Sequence, residues 1–257
     1  MTSLPKLAIT TAVLVGTTGS IGDSLPSLLD HCTDSWAETA NLIDELDWVI
    51  RWNTPNDNLG VTSSLQWLYE HTSAPVIAFL HSDCEIFEKG WDERVLLEFD
   101  DPRVGVVGFG GALQLGEDGL YKTPYRLTQL RRIDYMSNTR DAETHGERFT
   151  GACDVATLDG FALIVRREML DKWSGWPVER YPFHNYDNAL CVHAHKNGWR
   201  VRLVGIDCQH HGGATATTPA YQQWSLEKLG MTDAQVHEQS HLALYEDGRG
   251  VLPWRVR

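Results

Sequence analysis

Four short, strand-like apolar runs separated by stretches of helical period constrain this chain more than any other feature. They are LAITTAVLV (7–15), DWVIRW (47–52), VIAFL (76–80) and VGVVGFGG (104–111). Between them Leu25 to Cys32 reads as a helix. A second runs from Val61 to His71, with Val61, Leu65, Leu68 and Tyr69 at helical spacing, and a third from Trp91 to Glu98. Strands and helices alternating at these distances predict parallel strands joined by crossover helices. The pattern continues with FALIVRR (161–167), a helix starting near Glu168, and a longer helix from Asn185 to Asn197 closed by Gly198. The strand WRVRLVGI (199–206) and a helical stretch from Ala220 to Leu229 follow. The 257 residues fit one compact domain, residues 1–257, without internal repeats or a low-complexity linker. Residues 115–154 are polar and weakly periodic, and are expected to form ligand-facing loops.

The chain carries 35 Asp and Glu against 22 Lys and Arg, a formal net charge of −13, which disfavours a surface built to neutralise many phosphates. A nucleic-acid acceptor is correspondingly less expected. Cys32, Cys84, Cys153, Cys191 and Cys208 are odd in number and contain no CxxC pair, so reduced thiols in a cytoplasmic setting are expected. The apolar stretch 7–15 is short and β-branched, a strand rather than a leader, and no run has the length needed to cross a bilayer.

Three clusters carry chemistry. VIAFL runs straight into His81-Ser82-Asp83-Cys84-Glu85, and in open α/β sheets ligands bind beyond the carboxyl ends of the strands. Two carboxylates there suit a hard cation such as Mg²⁺ or Mn²⁺, although an isolated pair of acids is more often a solvated turn. Another strand is followed by Cys208-Gln209-His210-His211-Gly212-Gly213, where an imidazole can ligate Mn²⁺ and glycines permit close approach to a phosphate. Two adjacent histidines cannot easily point to one ion. The third cluster, Phe183 to Asn188, opens the long helix, where Asp187 either caps the helix or takes a proton from an acceptor hydroxyl.

Residues 47–111 and 154–215 resemble the family 2 glycosyltransferases of GT-A fold, including the rhamnosyltransferase-like members. The resemblance rests on the Asn58-Leu59-Gly60 turn, Asp83-Cys84-Glu85, the run from Gly160 to Glu168, Asp187 opening a helix, and His210 to Gly213, in that order. It implies a GT-A (Rossmann-like) three-layer α/β sandwich with a mostly parallel mixed central sheet. Residues up to about 111 would form a nucleotide-binding half, and about 112–257 an acceptor and catalytic half. It further implies that Asp83, Glu85 and His210 hold a divalent cation, Mn²⁺ or Mg²⁺, with Asp83 also near the ribose. Thr11, Asn53, Asn58, Gly60 and Gly160 would join Asp83 around a nucleoside-diphosphate-sugar donor. Asp187 would be the general base of an inverting transfer to a glycan, lipid-linked, protein or small-molecule acceptor. His184, His211, Tyr186 and Asp159 are candidate acceptor or accessory residues, and His184 either assists the acceptor or packs.

Two features depart from the family pattern. Tyr186 and Asn188 flank Asp187, where many members have two adjacent acids, and no acid follows the second strand among Arg51, Trp52 and Asn53. A nucleotidyltransferase is a rival reading, but GTTGSIG (16–22) after the first strand lacks the nearby cation that such phosphate loops use. A non-catalytic carbohydrate-binding protein of the same fold is another, since ten Trp suit sugar stacking as well as cores.

Overall fold

The computed structural model describes residues 7–13, 25–42, 47–53, 57–117, 127–129, 135–137, 147–211, 215, 218–252 and 254–256. Its first half contains β1 (Leu7–Val13), α1 (Leu25–Thr39), β2 (Asp47–Trp52), α2 (Val61–Glu70), β3 (Val76–Leu80), β4 (Cys84–Ile86), α3 (Trp91–Glu98) and β5 (Val104–Gly108). Short strands follow: β6 (Gly110–Ala112), β7 (Gln114–Glu117), β8 (Leu127–Gln129), β9 (Tyr135–Ser137), β10 (Ala152–Asp154) and β11 (Thr157–Leu158). The remainder is β12 (Ala162–Arg166), α4 (Arg167–Trp173), α5 (Tyr186–Lys196), β13 (Arg200–Val204) and β14 (Cys208–His210). It closes with α6 (Pro219–Trp224) running into a π-helical turn (Ser225–Leu229), then α7 (Asp233–Asp247) and β15 (Trp254–Arg255).

Among the described residues seven strands form the central sheet, in the order β10-β13-β5-β12-β3-β1-β2. Its two faces are read directly from alternation. In β3, Ile77 and Phe79 join the core that includes Val61, Leu65 and Leu68 of α2, whereas Val76, Ala78 and Leu80 join the core that includes Trp36 of α1 and Trp91 of α3. β12 divides the same way, Leu163 and Val165 to one side, Ala162 and Ile164 to the other. Both faces are therefore covered, which is why these strands read as continuous apolar runs. Leu163→Ala, at a fully buried position, is expected to cost about 2–5 kcal/mol, measured as a lowered urea midpoint at unchanged slope.

β1, β2 and β3 are parallel, as are β5 and β13, while β12 runs antiparallel to both β3 and β5 and β10 antiparallel to β13. The reversal of β12 matters most for function. After β5 the chain builds small sheets, adds β10 at the edge of the main sheet, and returns with β12 beside the end of β3, where His81 N–H donates to Phe161 O at 2.9 Å. An antiparallel strand delivers its first residues where its parallel neighbours deliver their last, so Asp159 and Gly160 arrive beside His81.

Several expectations shift. The segment 115–154 is not loop alone: its described residues include most of β7 and all of β8, β9 and β10. VGVVGFGG breaks at Phe109 into β5 and β6, and α1 extends to Thr39 rather than ending near Cys32. α7 was not anticipated, although Thr232 and Gln235 form a reciprocal capping box at its start. The glycine-rich turn 16–22, the end of the first run (14–15) and Gly212 and Gly213 lie outside the described residues. Among the described helices none is long and apolar enough to cross a membrane.

Candidate active site

The site is built on a tight turn. Cys84 N–H donates to His81 O at 3.0 Å, closing residues 81–84 immediately beyond β3 and setting His81 and Asp83 to one side. β14 then pairs antiparallel with β4, His210 opposite Cys84, and His211 N–H donates to Asp83 O at 2.8 Å. That register brings a residue 127 positions away to the turn.

Three potential ligand atoms converge there: His81 Nδ1 and His210 Nε2 are 3.3 Å apart, His210 Nε2 and Asp83 Oδ1 3.4 Å, and His81 Nδ1 and Asp83 Oδ1 4.0 Å. Among the described residues this is the one group of three His, Cys or acidic side chains arranged to hold a metal ion. A divalent cation with bonds of about 2.1 Å spaces adjacent ligand atoms roughly 3.0–3.4 Å apart, so two edges of the triangle already fit. The His210 ring also stacks on Phe161, centroids 5.0 Å apart. Burial opposes the charge on Asp83, but the hydrogen bond and charge of His210 and the charge of His81 outweigh it and hold the carboxyl at about 2. Burial and the neighbouring His210 push the His81 imidazole down, favouring the neutral ring that a ligand requires.

Glu85 does not join this group. Its Oε1 accepts from His31 Nε2 at 2.7 Å and its Oε2 from His211 Nε2 at 2.9 Å, so both oxygens are held in a bracket between α1 and the end of β14. The adjacent histidines thus divide: His210 faces Asp83, and His211 faces Glu85.

Asp187 stands in the first turn of α5, whose preceding residue Asn185 adopts a left-handed conformation (φ 60°). Its Oδ2 accepts from Gly160 N–H at 3.1 Å and its Oδ1 from Asn188 N–H at 2.7 Å. Burial, and next the charge of Asp159, raise its carboxyl to about 7, against the pull of those backbone donors. A carboxylate tuned there is half ionised near neutrality, the range suited to accepting a proton. Asp159 itself caps the turn into β12, its Oδ1 accepting from Phe161 N–H at 3.3 Å. Tyr186 Oη lies 3.1 Å from His81 Nε2, and burial pushes its phenol well above its ordinary range.

The residues assigned to the donor divide. Gly160 and His81 line an apolar cleft that continues along Phe79, Thr10, Val61 and Leu65, between the sheet and α2. Thr11, one residue out of phase with Thr10, is not part of that lining, and its Oγ1 is buried without a hydrogen-bond partner among the described residues. Asn53 and Asn58 are turned onto their own loop: Asn53 Oδ1 accepts from Leu59 N–H and Asn58 Oδ1 from Gly60 N–H, each at 3.0 Å. Gly60, at φ 76°, precedes α2 with Trp224 so close that a Cβ would meet its ring at 2.2 Å. His184 is engaged with α7, Nε2 donating to Asp233 Oδ1 at 2.6 Å.

The sequence matches the glycosyltransferase-like family over residues 56–241. No curated protein matches it. Among solved structures, it is similar to the mannosyltransferase PcManGT from Pyrobaculum calidifontis in complex with GDP-Man and Mn²⁺. That match is 12% identical, covers 96% of this chain and 74% of that one, and has a TM-score of 0.52. S. aureus TarS 1–349 in complex with UDP-GlcNAc is 11% identical over 91% of this chain and 70% of its own, TM-score 0.51. GalNAc-T7 with UDP, GalNAc and Mn²⁺ is 9% identical, TM-score 0.52, covering 82% of this chain, which spans 44% of that one. At such identities the likeness is one of fold, the GT-A architecture of a mixed seven-stranded sheet flanked by helices.

Proposed function

This chain belongs to the glycosyltransferase-like family, and we propose that it is a metal-dependent, inverting transferase moving a sugar from a nucleoside-diphosphate-sugar to an acceptor hydroxyl. The observation that carries this reading is the convergence of His81, Asp83 and His210 at the sheet end that also receives Gly160 and, through it, Asp187. Those three side chains would hold the cation, and their two imidazole nitrogens favour Mn²⁺ over the oxygen-seeking Mg²⁺. When bound, the cation would offset the charge that develops on the departing diphosphate.

The protein's own groups do the rest. Gly160 holds the base in place by donating its N–H to Asp187. The Asp187 carboxylate takes the acceptor's hydroxyl proton as that oxygen bonds to the anomeric carbon, while the bond from that carbon to the diphosphate oxygen breaks on the opposite face. Inversion follows from that in-line displacement. Glu85 keeps His211, and with it the end of β14, against the turn. The division into a donor half up to about residue 111 and an acceptor half beyond it stays part of this proposal. Five free cysteines favour a reducing compartment such as the cytoplasm. The acidic balance favours a glycan, lipid-linked, protein or small-molecule acceptor over a nucleic acid.

A panel of nucleoside diphosphates, with and without Mn²⁺, read by thermal shift, tests the donor half of this reading, because a ligand that binds the folded state raises its stability. Stabilisation by one nucleotide only when Mn²⁺ is present is expected, followed by release of that nucleoside diphosphate from its sugar conjugate. Turnover of a nucleoside triphosphate, with no response to any sugar nucleotide, would contradict it.

A further inference from the structure

Tyr186 occupies the space between the cation site and the base, and the structure gives it a reason to be there. It opens α5, is buried, and turns its ring edge-on to Trp176, with centroids 6.1 Å apart. Its hydroxyl passes directly over Gly160: a Cβ on that residue would stand 2.2 Å from Tyr186 Oη and 2.8 Å from its Cζ. Only a bare backbone at 160 lets the phenol reach His81 Nε2 at 3.1 Å. The same Gly160 offers its N–H to Asp187. Two adjacent side chains of α5 therefore converge on one glycine, one reaching past it to His81 and the other held by its amide.

His81 presents Nδ1 toward Asp83 and His210 and Nε2 toward Tyr186. An imidazole ligates a cation only through a nitrogen that carries no proton, and the hydrogen bond at the other nitrogen decides which one that is. We propose that Tyr186 is a positioning residue: by accepting the Nε2–H of His81 it fixes the tautomer and the ring angle that turn the Nδ1 lone pair toward Asp83 and His210. The inference rests on the cation site proposed above. It also gives Gly160 a second role, as the gap through which α5 supports His81 in the turn beyond β3.

The test measures Mn²⁺ binding to the full chain by the loss of the free-ion signal in electron paramagnetic resonance, with nitrogen couplings read by pulsed methods. Tyr186→Phe keeps the ring and its packing and loses only the hydroxyl. It is expected to melt like wild type, to bind Mn²⁺ about 10–100-fold more weakly, and to lose or weaken one of two histidine nitrogen couplings. In a His81→Ala background, Tyr186→Phe should have no further effect, since its influence passes through that ring. Asp187→Asn should leave the affinity unchanged. Wild-type affinity and couplings in Tyr186→Phe, or an equal loss in the His81→Ala background, would overturn the inference while leaving the cation site standing. A wild-type protein that does not bind Mn²⁺ would overturn the cation site and the inference with it.

Discussion

Asp187→Asn is expected to lower sugar transfer by about 100- to 10,000-fold while Mn²⁺ binding, nucleotide binding and the fold are retained. Asp187 meets the N–H groups of Gly160 and Asn188 with separate oxygens, so the single oxygen of the amide keeps one of these bonds and loses the other, and the amide cannot take a proton from the acceptor. The pH dependence provides a second reading. Burial and Asp159 raise this carboxyl to about 7, so wild-type turnover should climb as pH rises through that value and level off above it. The residual activity of the variant should lack that limb.

Stability should move in the opposite sense. An Asp carboxyl that titrates near 3.8 when unfolded and about 7 when folded binds an extra proton in the folded state between those values. Its contribution to stability is full below about 3.8 and is lost as pH rises toward about 7. Asp187→Asn removes that pH dependence, so the variant should lose less stability than wild type as pH rises across the window, measured by urea titration at both of its ends. A variant that is inactive because it is unfolded at pH 8 would contradict the assignment.

The second large effect concerns the cation ligands. Asp83→Ala and His210→Ala should each weaken Mn²⁺ binding by at least about 100-fold, more than the loss expected when only a supporting partner of a ligand is removed. Transfer should fall in parallel and recover in part at high Mn²⁺. Glu85→Gln separates this site from the arrangement that the family resemblance implies. With both oxygens of Glu85 committed to His31 and His211, the change should loosen the end of β14 and shift Mn²⁺ affinity far less than Asp83→Ala. Equal losses for Glu85→Gln and Asp83→Ala, read by the same titration, would place Glu85 among the ligands instead.

The fold was largely legible because its determinants are local. VIAFL is apolar on both faces, so its place in the middle of a covered sheet follows from the run itself, and the acids after it fall beyond the strand end. The extent of α1 was harder to read. Its second half contains Thr33, Ser35 and Thr39, which look like terminators, but their hydroxyls donate to Leu29 O, Cys32 O and Ser35 O within the helix. The signal for α7 was present in Thr232 and Gln235, one turn ahead of the buried Val236, Ser240, Ala243 and Leu244.

The site was legible in its parts and not in its grouping. Two acids one residue apart invite being read as a pair, and on a straight strand they would share a face. Here Asp83 lies in the turn closed by Cys84 N–H and His81 O, while Glu85 has entered β4. The alternation is reset between them, so Asp83 joins the histidine before it and Glu85 the histidine after His210. His81 carried one signal, its position two residues before Asp83, directly after a buried strand. The pairing of β14 with β4 depends on contacts across more than a hundred residues, and no local pattern encodes it. Asn53 and Asn58 have a local role that the resemblance did not indicate: their side-chain oxygens accept from backbone N–H groups of the turn before α2.

The central claim is that His81, Asp83 and His210 form one cation site at the ends of the strands. Anomalous scattering at the manganese edge, from crystals grown with Mn²⁺ and a nucleoside diphosphate, tests it most directly. A single peak within coordination distance of His81 Nδ1, Asp83 Oδ1 and His210 Nε2, with phosphate oxygens on its open side, is the predicted result. A peak bound by Glu85 and His211 with His81 turned away, or none at this end of the sheet, would contradict it.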